Sequence, residues 1–441
     1  MAVMRLSCAN LCKRNARLHG RALLFLAAAI GGCLASPEPL SPDEALARAH
    51  IQITRLLQEE LTRYPEAIDI EAPEAVDNPA AVTLWYPAHS IIAPALGNPE
   101  IRRAFDAAHP GIELKPQFIG DWHVAIQKLT VSIAAGGLPD IAIVERSWAA
   151  RLAQAGRLMP LDGFLDVEML DDFHPNARAA YTLQGRIWAL PADGFCSVLF
   201  FNRAAVADPP KTWEELPVQI SETKAVIGHL PYIEMLWSAG GRVCEHNQSG
   251  LTAPSAMRAL HFLLSLRDTG QSDAQMLADP AWGFAAFMKN SAPMTAASSE
   301  WLVRTRDAAF PAGMAALPGA EGPISRVGDM AIVVFAKHAA AKHDAIVAAL
   351  DWLTGPAVQG AAAAARGSMP VRQSVAETVD IPPGLRAAYT AAQAPPFAGV
   401  WSAAEYELSS NLARVWQWKH ESPESEASRH GGTWETSPSG N

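Results

Sequence analysis

Cysteine is scarce in this chain: there are five in 441 residues, and Cys8, Cys12 and Cys33 lie near the N-terminus. No CxxC pair occurs and the 13 histidines are scattered, so the sequence predicts no metal site. Cys196 and Cys244 are the two in the later chain. They could form a disulfide in an oxidising compartment or remain buried thiols, and the sequence leaves both possibilities open.

Charge is also sparse, since only 18% of residues are charged and the net charge is -10. No basic stripe appears in the later chain, which argues against nucleic acid as a partner. No uninterrupted apolar run reaches the roughly 18 residues that a membrane-spanning helix needs. Half of the residues are apolar, as in globular proteins, and 441 residues exceed one simple core, so two or more domains are expected.

The usual catalytic signatures are missing from the sequence. No G-x-S-x-G, H-E-x-x-H, G-x-G-x-x-G or Walker loop occurs. The sequence therefore predicts a protein that is not an enzyme and that needs no cofactor.

The N-terminal 33 residues read as a signal peptide. Five basic residues precede an apolar stretch from Ala22 to Ile30, which is too short to span a bilayer. Ile30-Gly31-Gly32-Cys33 then resembles a bacterial lipobox, in which Cys33 would carry the lipid. This predicts a membrane-anchored lipoprotein of the periplasm or cell surface. The alternative is a plain secretory signal cleaved near Ala35, which would give a soluble periplasmic protein.

Residues 34–79 are predicted to form a helical extension and a linker. Ser41-Pro42-Asp43-Glu44 is typical of a helix start, and apolar residues follow at spacings of three and four as far as Tyr64. Pro65 ends the helix, and an acidic, proline-containing run follows. The extension could pack on the rest of the protein, hold it away from a membrane, or contact a partner.

The next part of the chain alternates strands and helices. This β-α-β-α-β order predicts an α/β fold built on a parallel sheet with helices on both faces. Ligands of such sheets bind at the carboxyl ends of strands, which is where Trp85 and Glu145 occur. The predicted elements are a strand at Val82 to Tyr86, a helix at Pro99 to Ala108 capped by Asn98, a strand around 112–118, a helix from about His123 to Ala135, and a strand at Ile141 to Val144.

Seven short motifs occur in one order along the chain, and together they resemble the family 1 extracellular solute-binding proteins of bacterial ABC importers. That family includes maltose-, trehalose- and glycerol-3-phosphate-binding proteins, and the resemblance covers roughly residues 80 to 415. The motifs are Leu84-Trp85-Tyr86, Ala134 to Ile141, Gly156 to Asp162, Val198 to Asn202, Pro209 to Leu216, Met294 to Ser299 and Gly367 to Val371.

The resemblance implies a two-lobed periplasmic binding protein fold of type II, which closes by a hinge around its ligand. The chain would cross between the lobes near Asp193, near Val327 to Met330 and near Met369-Pro370. The implied N-lobe is 80–192 plus 328–369, the C-lobe is 193–327 plus 370–415, and residues 416–441 are predicted to be a disordered tail.

The implied function is capture of a carbohydrate in the interlobe cleft and its delivery to the membrane subunits of an ABC permease, by a monomer. A second possibility is a glycerol-3-phosphate or glycerophosphodiester binding protein. A third is the ligand-binding subunit of a sensor without transport.

Tryptophan is abundant, with 13 residues against six tyrosines. Sugars pack their C–H faces on aromatic rings, so tryptophans in cleft loops are candidate stacking platforms, although any of them could instead be part of the core. The resemblance places Trp85, Trp122, Trp237, Trp301 and Trp401 in such loops.

Polar candidates for the ligand site accompany these rings. Asp193 at the first crossing could accept hydrogen bonds from two hydroxyls, and Gly328 would let the backbone approach the ligand. Glu145 lies one residue from the position of a ligand-binding glutamate in glycerol-3-phosphate-binding relatives, so Arg146 could take its place. The full polar set is Asp121, Glu145, Asp193, Ser299, Glu300, Gly328 and Ser368.

One departure from the family bears on ligand charge. Glycerol-3-phosphate binders place an arginine in the last cleft loop, whereas Phe397 to Trp401 contains no cation. This favours a neutral mono- or oligosaccharide. Arg146, Arg366 or Arg372 could supply the missing charge from another loop.

Overall fold

The computed structural model describes residues 38–64, 68–88, 90, 92–223, 226–245 and 248–417. The predicted signal peptide, its lipobox and Cys33 lie outside the described residues, as do residues 418–441 of the predicted tail. Trp416 is buried, so the compact structure continues into the first residue of that predicted tail.

Fourteen strands and eighteen α-helices are described. The strands are β1 Ala81–Tyr86, β2 Glu113–Phe118, β3 Ile141–Glu145, β4 Thr182–Leu183, β5 Arg186–Ile187, β6 Leu190–Pro191, β7 Ser197–Asn202, β8 Cys244–Glu245, β9 Gln248–Ser249, β10 Met294–Ser298, β11 Ala312–Ala315, β12 Ser325–Arg326, β13 Met330–Val334 and β14 Ala392–Gln393. The helices are α1 Pro42–Arg63, α2 Ala93–Gly97, α3 Pro99–Ala108, α4 Trp122–Ala135, α5 Arg146–Gln154, α6 Val167–Asp171, α7 Pro175–Ala179, α8 Glu215–Thr223, α9 Tyr232–Ser238, α10 Pro254–Asp268, α11 Ala274–Ala278, α12 Pro280–Met288, α13 Ala336–Ala339, α14 His343–Thr354, α15 Pro356–Arg366, α16 Gln373–Ala376, α17 Pro383–Thr390 and α18 Trp401–Val415. Two 3₁₀ helices cover Ser299–Asp307 and Ala340–Lys342.

The larger sheet has five strands in the order β2-β1-β3-β13-β6. Strands β2, β1 and β3 are parallel, as predicted. Strand β13, which lies outside the predicted β-α-β-α-β run, runs antiparallel to β3 and to β6, so the complete sheet is mixed. The reason is connectivity: helices link β1, β2 and β3 in the crossovers that keep strands parallel, whereas β13 enters only after the long excursion through the second sheet.

The central strands of this sheet are buried on both faces. Ile141 and Ile143 pack into one core, while Ala142 and Val144 on the opposite face pack into another. Strand β13 alternates in the same way. Because both faces are covered, these strands read as continuous apolar runs rather than as an apolar-polar alternation.

The second sheet has three antiparallel strands in the order β10-β7-β11. Its central strand β7 also alternates between two cores. Val198 and Phe200 face the core shared with the five-stranded sheet, and Leu199 and Phe201 face a separate core built largely from α9, α10 and α18.

Helix α1 packs on the rest of the protein, which is the first of the three placements considered for the extension. Ser41 and Glu44 form the predicted capping box at its start. Its buried stripe includes Ala49, Ile53 and Leu57, and these side chains join the core that α10 and α18 contribute to. Burial of this apolar face therefore provides most of the free energy that keeps α1 packed on the rest of the protein.

Both cysteines in the described part of the chain, Cys196 and Cys244, are buried free thiols. No helix among the described residues is both long and apolar enough to cross a bilayer. The described residues also contain no grouping of histidine, cysteine and carboxylate side chains that could hold a metal ion.

Candidate functional site

A cleft of about 400 Å³ opens where the chain passes between the two sheets. Its walls come from the β6–β7 connection, the start of α9, the end of β10, and the β12–β13 connection. The side chains and backbone that line it are Asp193, Phe195, Cys196, Ser197, His229, Pro231, Glu234, Pro280, Ala296, Ala297, Ser298, Glu300, Arg326, Val327, Gly328, Asp329 and Met330.

Asp193 and Gly328 meet at the junction of two crossing segments. Asp193 is only 5% exposed and accepts a hydrogen bond from the backbone N–H of Phe195 at 3.4 Å. A Cβ on Gly328 would lie 2.5 Å from Oδ1 of Asp193, so only glycine lets the carboxyl group occupy this place. Burial raises the pKa of Asp193 to about 7, because the desolvated carboxylate is disfavoured.

Arg146 lies behind the cleft and is committed to the second crossing segment. Its guanidinium forms an ion pair with Asp329 and donates to the carbonyl of Gly328 at 3.2 Å. The side chain is 1% exposed, and burial lowers its pKa to about 10. Arg146 thus braces the backbone at Gly328 and Asp329 and has no exposed face with which to grip an anion.

Arg326 is held between two glutamates. Its Nε lies 3.5 Å from Oε1 of Glu234 on α9, and its Nη1 forms an ion pair with Glu405 on α18. Burial raises the pKa of Glu234, and the charge of Arg326 opposes that effect. Arg326 is the sole arginine or lysine that lines the cleft in the described part of the chain.

Glu300 and His229 complete the polar lining. Glu300 lies 3.6 Å from Nη2 of Arg366, and Arg366 itself is not part of the cleft wall. Nδ1 of His229 lies 3.3 Å from the carbonyl of Met276 and 3.1 Å from that of Leu277, so it must be the protonated nitrogen. Burial lowers the pKa of His229 to about 4, which keeps the ring neutral and leaves Nε2 as an acceptor.

Hydrogen-bond acceptors therefore dominate this site. Four carboxyl groups line the cleft, and a neutral imidazole and the hydroxyl groups of two serines stand beside them. The one guanidinium is already shared between two carboxylates. Such a lining is suited to a ligand that donates many hydrogen bonds, and it is poorly suited to a ligand made of anionic acceptors.

The polar residues that the sequence predicts for the ligand site lie in three different places in the structure. Asp193, Glu300 and Gly328 line the cleft. Ser299 and Ser368 are buried behind it, where their hydroxyl oxygens accept from the backbone N–H groups of Cys196 at 3.2 Å and Gly194 at 3.0 Å. Both serines thus hold the first crossing segment in place.

Asp121 and Glu145 lie elsewhere. Asp121 caps α4 by accepting from the N–H of Val124 at 3.0 Å. Glu145 ends β3 and accepts hydrogen bonds from Ser147 at 2.8 Å and from Ser402 on α18. Their roles in ligand binding stay predictions.

Three of the five candidate tryptophans pack against the core between the sheets. Trp85 and Trp122 are partly buried there. Trp301 meets the ring of Phe284 edge-on at 4.8 Å, and the guanidinium of Arg304 lies over it at 4.6 Å. Phe195, and none of these tryptophans, lines the acceptor-rich cleft.

The other two tryptophans lie together in a second cavity of about 700 Å³. The ring centroids of Trp237 and Trp401 are 6.4 Å apart, and both residues are at most 4% exposed. Amide and aromatic side chains share this wall, a combination that suits a sugar. The cavity is lined by Leu57, Asn176, Ala179, Thr182, Leu183, Gln184, Trp237, Arg242, Val243, Cys244, Gln393, Ala394, Pro395, Pro396, Phe397, Ala398 and Trp401.

Sequence reasoning missed Glu234, Arg326 and His229. Arg326 directly precedes the predicted second crossing, so extending that segment by one residue would have included it. Glu234 is the third residue of a short helix and belongs to no motif. Only its contact with Arg326, 92 positions later in the chain, marks it as part of the site.

Comparison with known proteins agrees with this architecture. The chain matches a putative binding protein of Brucella abortus (strain 2308) with 29% identity over 191 residues, which cover 39% of this chain and 46% of the relative. It thus spans about half the length of the curated relatives that it matches.

Two solved structures show the same two-lobed fold. The cyclic alpha-maltosyl-1,6-maltose binding protein from Arthrobacter globiformis has a TM-score of 0.64 and 21% identity, covering 78% of this chain and 94% of that chain. UgpB from Mycobacterium tuberculosis in complex with glycerophosphocholine has a TM-score of 0.62 and 20% identity, covering 79% and 93%. The predicted fold class is confirmed. Residues 90–360 match the model of the bacterial extracellular solute-binding proteins, and the chain belongs to that family.

Proposed function

We propose that this protein is the substrate-binding subunit of an ABC importer and that it binds a neutral mono- or oligosaccharide. The acceptor-rich lining of the cleft is the observation that carries this proposal. A sugar brings several hydroxyl donors to Asp193, Glu234, Glu300 and Asp329, whose carboxyl groups accept two or more hydrogen bonds each. The maltosyl ligand named for the Arthrobacter globiformis structure is consistent with this class.

The glycerophosphodiester alternative is supported less well. The Mycobacterium tuberculosis structure with glycerophosphocholine shares the fold, but a phosphate group needs a cation with free donors. Arg146 and Arg326 are both engaged by carboxylates, and Arg366 lies beside Glu300. A phosphate in this cleft would face carboxylates without a free guanidinium to offset them.

The mechanism follows from the position of Asp193 and Gly328 at the crossings. We propose an N-lobe of 80–192 plus 328–369 and a C-lobe of 193–327 plus 370–415, which close around the sugar. A ligand that contacts both lobes favours the closed population, and the closed form would be the one that docks on the permease. A lipid anchor at Cys33 and a monomeric state complete the proposal, and no chemical step is assigned to the bound sugar.

Calorimetric titration of the mature protein with a panel of neutral sugars and glycerol 3-phosphate tests this function. We expect at least one neutral sugar to bind at least tenfold more tightly than glycerol 3-phosphate, a margin of ~1.4 kcal/mol. Preferential, salt-sensitive binding of glycerol 3-phosphate would contradict the assignment.

Matched variants then locate the site. Glu234→Gln should weaken sugar binding if the acceptor-rich cleft holds the ligand, whereas Trp401→Phe should weaken it if the second cavity does. Glu214→Gln serves as the control, because Glu214 is exposed and lines neither cavity. An effect of Trp401→Phe alone would move the site to the second cavity.

A further inference from the structure

Arg326 occupies the wall between the cleft and an adjoining cavity of about 170 Å³. Both cavities are lined by Arg326 and Glu234, but Glu405 lines the adjoining one and is not part of the cleft wall. The side chains of Arg326 and Glu405 are 24% and 28% exposed, and that of Glu234 is 2% exposed. Arg326 therefore lies at the surface of the cleft, but its guanidinium is directed away from the cleft, toward Glu405 on α18.

This arrangement matters because an unengaged guanidinium is a strong phosphate ligand. Its planar fork offers five N–H donors that match phosphate and carboxylate oxygens. Because two carboxyl groups already share this guanidinium, few of its donors are free to bind an anion at that wall.

We propose that Glu405 is a positioning residue that makes the cleft reject anionic ligands, because it holds the guanidinium of Arg326 away from the ligand. Glu405 acts through Arg326 and does not itself contact the ligand. The inference rests on the proposed function in taking this cleft as the ligand site, and it adds the residue that sets the charge class of the ligand.

The test is titration of purified Glu405→Gln with inorganic phosphate and glycerol 3-phosphate. Loss of one carboxylate frees donors on Arg326, so we expect affinity for both anions to rise at least tenfold over the wild type and to fall with added salt. Glu407→Gln is the matched control, because it removes the same charge from the same helix and Glu407 lines neither cavity.

Unchanged anion affinity in Glu405→Gln, or an equal rise in Glu407→Gln, overturns the proposal. If Glu405→Gln does not fold, Glu405→Asp, which draws the carboxylate back from Arg326 by one methylene, carries the same expectation. The anion titration does not depend on the sugar panel. Failure to find a sugar would sink the proposed function, whereas failure to gain phosphate affinity would sink only this role of Glu405.

A separate observation concerns the N-terminal extension, which lies before the family match at residues 90–360. Helix α1 is buried against the core that contains Leu199 and Phe201 of the three-stranded sheet. The amide of Asn411 on α18 donates to the side chain of Gln52 at 2.7 Å, which fixes the helix there.

The segment after α1 is bound instead to α13 and to the loop that follows α5, which lie beside the five-stranded sheet. The N–H of Glu71 donates to the carbonyl of Gly156 at 2.8 Å, and Arg157 forms an ion pair with Glu71 at 2.7 Å. The N–H of Glu74 donates to the carbonyl of Lys337 at 2.7 Å, and their side chains pair at 3.3 Å. A Cβ on Gly156 would lie 1.8 Å from the carbonyl oxygen of Asp69, so glycine is required for this approach.

The geometry points to a strap: residues 41–64 are bound to the core of the three-stranded sheet and residues 68–78 to elements beside the five-stranded sheet, and together they limit how far the cleft opens. Both ends of the strap are anchored by described contacts, and separation of the sheets would break the weaker, polar end at Glu71 and Glu74 first.

A distance measurement between fluorophores tests the strap. Labels on Val131→Cys in α4 and Val218→Cys in α8, in a chain that starts after Cys33 and so lacks Cys8, Cys12 and Cys33, would report the spacing of the two sheets, since both positions are well exposed and Cys196 and Cys244 are buried. We expect the double substitution Glu71→Gln, Glu74→Gln to widen the distance distribution of the ligand-free protein. Glu59→Gln, which removes an exposed ion pair within α1, should leave it unchanged.

An unchanged distribution in the double variant overturns the strap. If the double variant is unstable, Glu74→Gln alone, which removes the exposed ion pair with Lys337, carries the same expectation.

Discussion

Asp193 shows how one buried carboxyl group couples the site to pH. Burial is the largest influence on its pKa and raises it from 3.8 to about 7, Glu300 adds to the rise, and Arg146 and Arg366 oppose it. Between pH 3.8 and pH 7, the carboxyl group of Asp193 is therefore mostly protonated in the folded protein and mostly ionised in the unfolded chain. The contribution of Asp193 to stability is therefore greatest below the unfolded pKa and is lost as pH rises through the folded pKa.

We expect Asp193→Asn to remove this loss. Over roughly three pKa units the linkage amounts to about 4 kcal/mol, so the free energy of unfolding of the wild type should fall by up to that amount between pH 4 and pH 8, relative to the variant. Urea unfolding of both proteins at pH 4.5, 6 and 7.5 measures the difference. Parallel pH profiles would mean that Asp193 is not protonated in the folded protein.

Single residues also show what the sequence could and could not predict at the site. Asp193 and Gly328 could be predicted as site residues because the resemblance marks where the chain crosses between the lobes. A glycine at such a crossing indicates that the backbone can approach the ligand closely. Glu234 could not be predicted as a site residue, because only the folded contact between α9 and β12 brings it to Arg326. The sequence predicts Ser299 and Ser368 as ligand-binding residues, whereas the structure shows their hydroxyls accepting from backbone N–H groups behind the cleft.

At the scale of elements, local signals predicted boundaries well. Asn98 caps α3 by accepting from the N–H of Glu100 at 2.9 Å, and the helix runs from Pro99 to Ala108 as the sequence indicated. Ser41 and Glu44 likewise mark the start of α1. The direction of β13 was not predictable in this way, because strand orientation depends on the path between strands and not on their composition.

Helix α1 supplies a second prediction, about stability. Ile53 is 0% exposed in the core with α10 and α18, whereas Ile51 on the same helix is 67% exposed. Ile53→Ala should lower the free energy of unfolding by about 2–5 kcal/mol through lost burial and the cavity left behind. Ile51→Ala is the matched control and should change it by about 0.5 kcal/mol or less. Equal effects in thermal or urea unfolding would show that α1 does not pack as described.

At the scale of the whole molecule, contacts join α18 to the end of the five-stranded sheet, and we propose that they favour the closed population. Arg151 of α5 donates to the carbonyl of Gly399 at 2.7 Å, just before α18 begins. Glu145 accepts from Ser402 of α18 and from Ser147, and the two serine hydroxyls lie 2.6 Å apart. These bonds connect the strand end at Glu145 with the helix that also carries Glu405.

Ser402→Ala should therefore shift the protein toward the open population. Loss of this hydrogen bond to a carboxylate removes about 1.5–3 kcal/mol from the closed form, so sugar affinity should fall by roughly tenfold or more. Because closure traps the ligand, the change should appear mainly as faster dissociation in stopped-flow measurements, with little change in association rate. Ser410→Ala, at an exposed position of the same helix, provides the comparison. A Ser402→Ala protein that releases sugar no faster than Ser410→Ala would mean that the contact between Glu145 and α18 does not stabilise the closed form.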